Sequence, residues 1–145
     1  MAILTDTNIF VRLLQPGHPH CLIAERAVAT LRTRQEILTV APQNLVELWT
    51  VATRPILSNG LGLTPQQAGQ ELDRIRCFWV MLPELPLFSV WEQIVRGYGV
   101  SGKGTHDARL VAAIRIHRIA GILTFNVKDF DRYSSITVLE PVSLA

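Results

Sequence analysis

The sequence predicts an α/β fold in which helices cover both faces of a parallel sheet. Short apolar segments alternate along the chain with longer segments of helical periodicity, which is the pattern of strand–helix–strand units. The apolar segments are also continuous rather than alternating, as expected for strands that are buried on both sides. The length of 145 residues suits one domain, residues 1–145, with a single sizeable core.

About five strands are predicted, each followed by helical or turn sequence. The strands are residues 1–5, 37–40, 77–82, 122–125 and 136–139. The first helix follows the Asp6-Thr7-Asn8 turn, any residue of which is a suitable N-cap. The further helices are residues 19–33, 44–53, 65–76, 89–95 and 105–120.

Proline and glycine mark several helix boundaries. Pro42 fits the first turn of the third helix, and Thr64-Pro65 provides the fourth helix with an N-cap followed by proline at its first position. Pro16-Gly17 ends the first helix, and Gly121 is expected to end the sixth.

Acidic and amide side chains cluster where a ligand site is expected in such a fold. Asp6 follows the first strand, and Asn126 and Asp129 follow the fourth. Glu47 is the only charge in a helix that is apolar nearly all round, and Asp107 lies near the start of the sixth helix. Because ligands bind beyond the carboxyl ends of parallel strands, we expect these side chains to approach one another.

Asp107 is the most informative of these residues. Leu110, Val111 and Ile114 follow it at helical spacing, so Asp107 shares their apolar face and should turn inward. A carboxylate on a buried face is costly unless a cation or several donors meet it. The alternative is that Asp107 caps its own helix, which is a common arrangement.

Converging carboxylates favour a bound metal ion. Like charges raise one another's pKa unless a cation compensates, and oxygen ligands without cysteine suit Mg²⁺ or Mn²⁺. Such an ion lowers the pKa of a bound water and neutralises charge on a phosphate, so the site suits phosphodiester hydrolysis. The alternative is that the acids are unrelated caps and surface charges, as we expect of Asp131.

Composition and charge narrow the class of protein. The net charge of +2 neither requires nor excludes a nucleic-acid ligand. Cys21 and Cys77 lack metal-site spacing, which argues against zinc and fits reduced core thiols. No apolar run reaches the length of a membrane span, and the N-terminus does not resemble a signal peptide. We therefore expect a cytoplasmic protein with no membrane contact.

One competing motif is weak. Gly97-Tyr98-Gly99-Val100-Ser101-Gly102-Lys103 matches most of a phosphate-binding loop, but Gly104 stands where that motif needs Ser or Thr. The motif also needs a preceding strand, whereas the preceding segment here is predicted to be a helix. A loop at the rim of the site is the better interpretation.

Four sequence blocks, in order, carry a resemblance to a known family. They are Asp6-Thr7-Asn8 after an apolar strand, Glu47 in a central helix, His106-Asp107-Ala108-Arg109-Leu110-Val111-Ala112-Ala113, and Thr124-Phe125-Asn126-Val127-Lys128-Asp129-Phe130. Together they resemble the PIN-domain family, and specifically its VapC-type toxin ribonucleases. The resemblance covers essentially the whole chain, and the last two blocks are its most specific part.

The resemblance implies a fold, an activity and partners. It implies a three-layer α/β/α sandwich around a central parallel sheet. It also implies Mg²⁺-dependent endoribonuclease activity, with Mn²⁺ able to substitute, that leaves a 5′-phosphate and a 3′-hydroxyl. Such a protein would be the toxin of a toxin–antitoxin pair, would be inhibited by its cognate antitoxin, and would commonly form a homodimer.

The resemblance also implies roles for individual acids. Asp6, Glu47, Asp107 and Asp129 would be the catalytic acids and the metal ligands. Many relatives have aspartate where this chain has Asn126, and here Asp129 follows three residues later. This departure weakens the expectation of two tightly bound ions.

Neutral and basic residues complete the implied site. Asn8, Thr124 and Asn126 would hydrogen-bond the acidic ligands. The basic candidates for contact with RNA phosphate are Arg12, Lys103 and Arg109.

Two other functions remain open on the sequence. A PIN-like RNA-binding module with weak or no catalysis is compatible with the uncharged Asn126. A response-regulator-like phosphoacceptor would also place acids at strand ends, but it normally has an acidic neighbour beside the residue in the position of Asp6.

Overall fold

Five parallel strands form the central sheet of the computed structural model, which describes residues 1–145. The strands are β1 (Ala2–Thr5), β2 (Ile37–Val40), β3 (Val80–Met81), β4 (Gly121–Leu123) and β5 (Thr137–Leu139). Their order across the sheet is β3-β2-β1-β4-β5, and every neighbouring pair is parallel. The predicted parallel sheet of about five strands is therefore confirmed.

Seven helices surround the sheet. They are α1 (Thr7–Leu13), α2 (Pro19–Thr33), α3 (Pro42–Thr53), α4 (Pro65–Phe78), α5 (Phe88–Tyr98), α6 (Gly104–Ile116) and α7 (Pro141–Leu144). Short 3-10 turns occupy Ile56–Ser58 and Val127–Asp129. None of the helices combines the length and the apolar character that crossing a membrane would require.

Both faces of the sheet are covered, which makes the fold a three-layer sandwich. On β1, Ile3 packs in a buried cluster with α2, whereas its neighbour Leu4 packs in a second cluster with α6. On β4, Leu123 and Ile122 divide between the same two clusters. Because side chains alternate across a strand, this division explains why the strands are apolar without alternation.

The third strand and its approach differ from the prediction of residues 77–82. Cys77 and Phe78 continue α4, so β3 contains only Val80 and Met81. β3 is an edge strand that pairs only with β2, and both of its side chains are exposed. Edge strands are often short because they leave backbone groups unpaired. Cys77 is also exposed rather than a core thiol, whereas Cys21 is buried.

The sixth helix ends before the residue that was expected to end it. α6 stops at Ile116, and Arg118 adopts a left-handed backbone with φ of 54°. Gly121 instead begins β4 and lies tightly against β5, where a Cβ atom would lie 2.2 Å from the Thr137 carbonyl oxygen. Glycine at residue 121 therefore reflects close strand packing and not a helix end.

Helix α3 is less buried than its sequence suggests. It begins at Pro42, earlier than the predicted Asn44, and Val46 and Trp49 are 68% and 37% exposed. Only one face of the helix packs into the core, and Glu47 is half-buried beside that face. The apolar side chains around most of this helix therefore do not all reach the core.

Helix α7 was not predicted from the sequence. It packs against α2, where Thr30 Oγ1 donates a hydrogen bond to the Leu144 carbonyl at 2.8 Å. Its few residues carry too little periodicity to signal a helix.

The sheet order brings two strand ends together. β1 is the central strand. From β1 the chain adds β2 and β3 on one side of it and then returns to add β4 and β5 on the other side, so the strand order reverses beside β1. The Asp6 amide donates to the Leu123 carbonyl at 3.0 Å, which joins the carboxyl ends of β1 and β4. A crevice beyond these two ends is where a ligand site is expected in an open α/β sheet.

Candidate active site

A cavity of about 630 Å³ opens beyond the carboxyl ends of β1 and β4. Its lining is mainly polar and includes three of the four candidate acids. The lining residues are Asp6, Thr7, Asn8, Val11, Arg12, Gln15, Glu47, Val51, Ile56, Asn59, Gly60, Asp107 and Asn126. Residues separated widely in the sequence thus share one cavity.

Asp6 is buried and held on both carboxylate oxygens. It is the N-cap of α1, and its Oδ1 accepts a hydrogen bond from the Thr7 amide at 2.8 Å. Its Oδ2 accepts from Thr124 Oγ1 at 2.7 Å and from Asn8 Nδ2 at 3.3 Å. These donors fix the carboxylate at the joint between strand and helix.

A second layer of hydrogen bonds holds those donors. Asn8 Nδ2 also donates to Thr124 Oγ1 at 3.1 Å, and the Phe125 amide donates to Asn8 Oδ1 at 3.2 Å. The Asn126 amide donates to Thr124 Oγ1 at 3.0 Å. Asn126 thus contributes its backbone to this network, while the residue itself is exposed and lines the cavity.

Glu47 is also held on both oxygens. Thr7 Oγ1 donates to Glu47 Oε2 at 2.7 Å, and Gln43 Nε2 donates to Glu47 Oε1 at 2.8 Å. Asn44 Nδ2 in turn donates to Thr7 Oγ1 at 3.2 Å, so the Thr7 hydroxyl proton is directed toward Glu47. Because Thr7 directly follows Asp6 in the chain, its hydrogen bond to Glu47 ties the positions of the two acids together.

Asp107 lies in the first turn of α6 but does not cap it. The N-cap position is Lys103, and the Asp107 carboxylate accepts no hydrogen bond from the protein. The prediction of an inward face is confirmed, because Leu110, Val111 and Ile114 are buried. The cap interpretation of Asp107 is wrong, and its carboxylate is left facing the other acids.

Burial and mutual repulsion raise the pKa of two of the acids. Burial is the largest cause for Asp107, whose pKa rises from 3.8 to about 7, followed by the charges of Asp129, Asp6 and Glu47. The pKa of Asp6 rises to about 6, chiefly by burial, although hydrogen bonds from Thr124 and Thr7 oppose the rise. Glu47 and Asp129 add to it through their charges.

The remaining predicted site residues differ in how closely they approach the cavity. Asp129, in the exposed 3-10 turn, is not part of the cavity lining, yet its charge acts on both Asp6 and Asp107. Arg12 lines the cavity, and its Nη1 donates to Gln15 Oε1 at 2.7 Å. Lys103 and Arg109 are exposed and lie outside the lining.

Three residues of this network were missed by the sequence reasoning. Thr7 was considered only as a helix cap, and neither Gln43 nor Asn44 was considered. Gln43 lies four residues before Glu47, which is the spacing at which helical side chains meet, so a sequence signal was present. No comparable signal connects Thr7 with Glu47, because their contact depends on how α1 packs against α3.

The residues fit a hard divalent cation in donor type and charge. The donors are carboxylate oxygens without cysteine or histidine, and a bound cation would oppose the rise in the pKa of Asp6 and Asp107 that burial and neighbouring acids cause. No three His, Cys, Asp or Glu side chains stand close enough to hold an ion together as they are placed.

Fold and cavity together define an α/β/α protein with an acidic cluster at the carboxyl edge of a parallel sheet. The sequence matches the PIN-domain family over residues 3–136. The chain therefore belongs to the PIN-domain family.

Solved structures of similar fold include toxin–antitoxin complexes. VapBC2 from Rickettsia felis, bound to a DNA fragment from its promoter, has a TM-score of 0.69 and 14% identity, covering 97% of this chain and 98% of the other. VapBC-1 from nontypeable Haemophilus influenzae has a TM-score of 0.66 and 19% identity, with 97% and 98% coverage.

A third similar structure is that of a VapC toxin. VapC20 of Mycobacterium tuberculosis, a toxin that cleaves the sarcin–ricin loop, has a TM-score of 0.64 and 18% identity, covering 90% of this chain and 95% of the other. These likenesses establish the shared fold. Comparison with curated protein sequences gives no significant match.

Proposed function

We propose that this protein is a metal-dependent endoribonuclease of the VapC type, the toxin of a toxin–antitoxin pair. The observation that carries the proposal is a pair of acids, the buried Asp6 and the half-buried Asp107, whose pKa values rise to about 6 and about 7 beside two further carboxylates. Membership of the PIN-domain family and the shared fold with the VapC20 toxin support it.

The four acids would together hold the metal ion. Asp6 and Asp107 would be the principal ligands of Mg²⁺, or of Mn²⁺ in its place, and Glu47 and Asp129 would be additional ligands. The ion would lower the pKa of a bound water and neutralise charge developing on the RNA phosphate. Glu47, fixed by Thr7 and Gln43, would orient the attacking water and accept its proton.

The neutral and basic residues support these acids. Asn8 and Thr124 keep the Asp6 carboxylate in place through their hydrogen bonds. Arg12 supplies positive charge inside the cavity, where it would meet a substrate phosphate. Lys103, exposed one turn before Asp107, would contact the RNA backbone outside the cavity.

The proposal extends to partners and location. A cognate antitoxin would bind this protein, which the likeness to the VapBC structures supports, and would block the acidic cavity, which the family resemblance implies. We propose a cytoplasmic protein that forms a homodimer, the common state implied by the family resemblance. RNA is the proposed substrate.

Cleavage of a mixed RNA pool by the purified protein tests the nuclease directly. We expect cleavage with Mg²⁺ or Mn²⁺ and none with EDTA, because uncompensated carboxylates repel both one another and the RNA phosphate. Products should carry a 5′-phosphate and a 3′-hydroxyl, which end-specific ligation and labelling distinguish. Undiminished cleavage in EDTA would contradict the metal-dependent mechanism.

Expression without the antitoxin tests the role as a toxin. We expect the wild-type chain to arrest growth and Asp6→Ala to relieve the arrest at equal protein abundance, because Asp6 is one of the two principal metal ligands proposed. Growth curves with parallel immunoblots provide the measurement. Equal toxicity of the two proteins would separate the growth effect from the nuclease.

An RNA-binding module with weak or no catalysis is the second candidate. Two observations favour it: Asn126 lacks the charge of an acid at that position, and no three acids stand together at ligand spacing. RNA that is bound but left intact at every metal concentration would select this function over the nuclease.

A further inference from the structure

The side-chain amide of Gln43 connects two parts of the acidic site. Its Nε2 donates to Glu47 Oε1 at 2.8 Å and to the His106 carbonyl oxygen at 2.9 Å. An amide nitrogen carries two hydrogens, so both bonds form at once. One end of this bridge is an acid on α3, and the other is the residue immediately before Asp107 on α6.

Arg109 fixes which way the Gln43 amide points. Arg109 Nη1 donates to Gln43 Oε1 at 3.3 Å, and a guanidinium offers donors only. Rotating the amide by half a turn would place its NH₂ group against the guanidinium and its oxygen against the Glu47 carboxylate. Both contacts would then be repulsive, so the observed orientation is selected.

The Gln43 bridge completes the restraint on Glu47. Thr7, the first residue of α1, holds Oε2, and Gln43, one turn before Glu47 on α3, holds Oε1. Asp107 itself accepts no hydrogen bond, so its place relative to Glu47 depends on how α6 is attached. Besides helix packing, two side chains donate hydrogen bonds to backbone carbonyls of the first turn of α6: Trp91 Nε1 to Thr105 at 2.8 Å, from α5, and Gln43 to His106, from the side of the acids.

We propose that Gln43 is a positioning residue that sets the separation between Glu47 and Asp107, with Arg109 holding its amide in the effective orientation. The inference rests on the proposed function, because that separation matters only if the two acids share a metal ion. It also gives the exposed Arg109 a structural role in addition to the contact with RNA phosphate that the family resemblance implies. Residues that support metal ligands typically contribute about 10–100-fold to metal affinity.

Gln43→Leu removes both donors while keeping a similar side-chain volume. We expect the Mg²⁺ concentration for half-maximal RNA cleavage to rise roughly tenfold. Calorimetric Mg²⁺ affinity of the protein without RNA should fall by the same factor. Cleavage at saturating Mg²⁺ should also fall, because the Glu47 carboxylate would no longer be held where it orients the attacking water. Gln93→Leu, at an exposed position of α5, is the matched control and should leave both quantities unchanged.

A double-mutant cycle shows whether Gln43 acts through Glu47. Glu47→Gln should weaken Mg²⁺ binding, and adding Gln43→Leu to it should weaken binding no further. Independent effects that multiply in the double variant would overturn the inference. Arg109→Met should produce a smaller loss than Gln43→Leu, because the two Gln43 donors remain present.

Crystal structures of wild type and Gln43→Leu give a readout that does not depend on activity. We expect the Glu47 carboxylate to leave its position beside Thr7 and the first turn of α6 to shift in the variant. An unmoved Glu47 would refute the positioning role. If wild type neither binds Mg²⁺ nor cleaves RNA, the proposed function fails, while this structural comparison still decides the role of Gln43.

Discussion

Asp107→Asn is expected to reduce metal-dependent RNA cleavage by about a hundredfold or more. The substitution preserves shape but removes the charge of the one carboxylate in the cavity that accepts no hydrogen bond from the protein. Metal-ion catalysis contributes several kcal/mol to such reactions, and a loss of about 3 kcal/mol corresponds to roughly a hundredfold in rate. Initial rates on a single RNA substrate at fixed Mg²⁺ provide the measurement.

Asp131→Asn is the matched control for this loss. Asp131 is exposed and forms no ion pair, so the variant makes the same change in net charge without altering the site. Its cleavage rate should equal that of wild type. Wild-type activity in Asp107→Asn would remove Asp107 from the mechanism, whereas equal losses in both variants would indicate a general charge effect.

The free energy of unfolding should depend on pH and on metal concentration through the Asp107 carboxyl group. An aspartate ordinarily has a pKa of 3.8, which applies to the unfolded chain, whereas the pKa of Asp107 in the folded chain is about 7. Between these values the folded chain keeps a proton that the unfolded chain has lost, so this group's contribution to stability falls as pH rises. The contribution is complete below about pH 4, and its loss is complete above about pH 7.

Asp107→Asn should therefore stabilise the metal-free protein at pH 8, and by less at pH 5. Because Asp107 is only half-buried, solvent screening reduces the expected gain at pH 8 to about 1–2 kcal/mol. Urea unfolding in EDTA at the two pH values measures the difference, with Asp131→Asn as control. A difference that is the same at both pH values would contradict the raised pKa.

Adding Mg²⁺ at pH 8 should reverse this order. A cation that binds the ionised carboxylates of the folded chain stabilises it in proportion to the logarithm of its concentration over the dissociation constant. Wild type should gain stability under these conditions, while Asp107→Asn should gain little. An equal gain in the two proteins would place the ion elsewhere.

Much of the fold could be predicted because its signals are local. Residues 1–5 and 37–40 are continuous apolar runs, and such runs indicate strands that are covered on both faces. Pro65 after Thr64 gave the start of α4 correctly, since proline is tolerated at the first position of a helix. The end of α4 and the short β3 were missed because Cys77 and Phe78 have apolar side chains that suit either structure.

The sequence by itself determined the parallel sheet and indicated that Asp6, Glu47, Asp107, Asn126 and Asp129 could meet beyond its strand ends. All of them except Asp129 line the cavity. The sequence did so because strand ends and helix starts are visible in local patterns, and parallel topology brings those ends together. Only the tertiary structure decided which atoms meet. Gln43 reaches His106 across 63 residues and Arg109 across 66, and Thr7 reaches Glu47 across 40. Such contacts depend on the packing of α1, α3 and α6 against one another, which no local periodicity encodes.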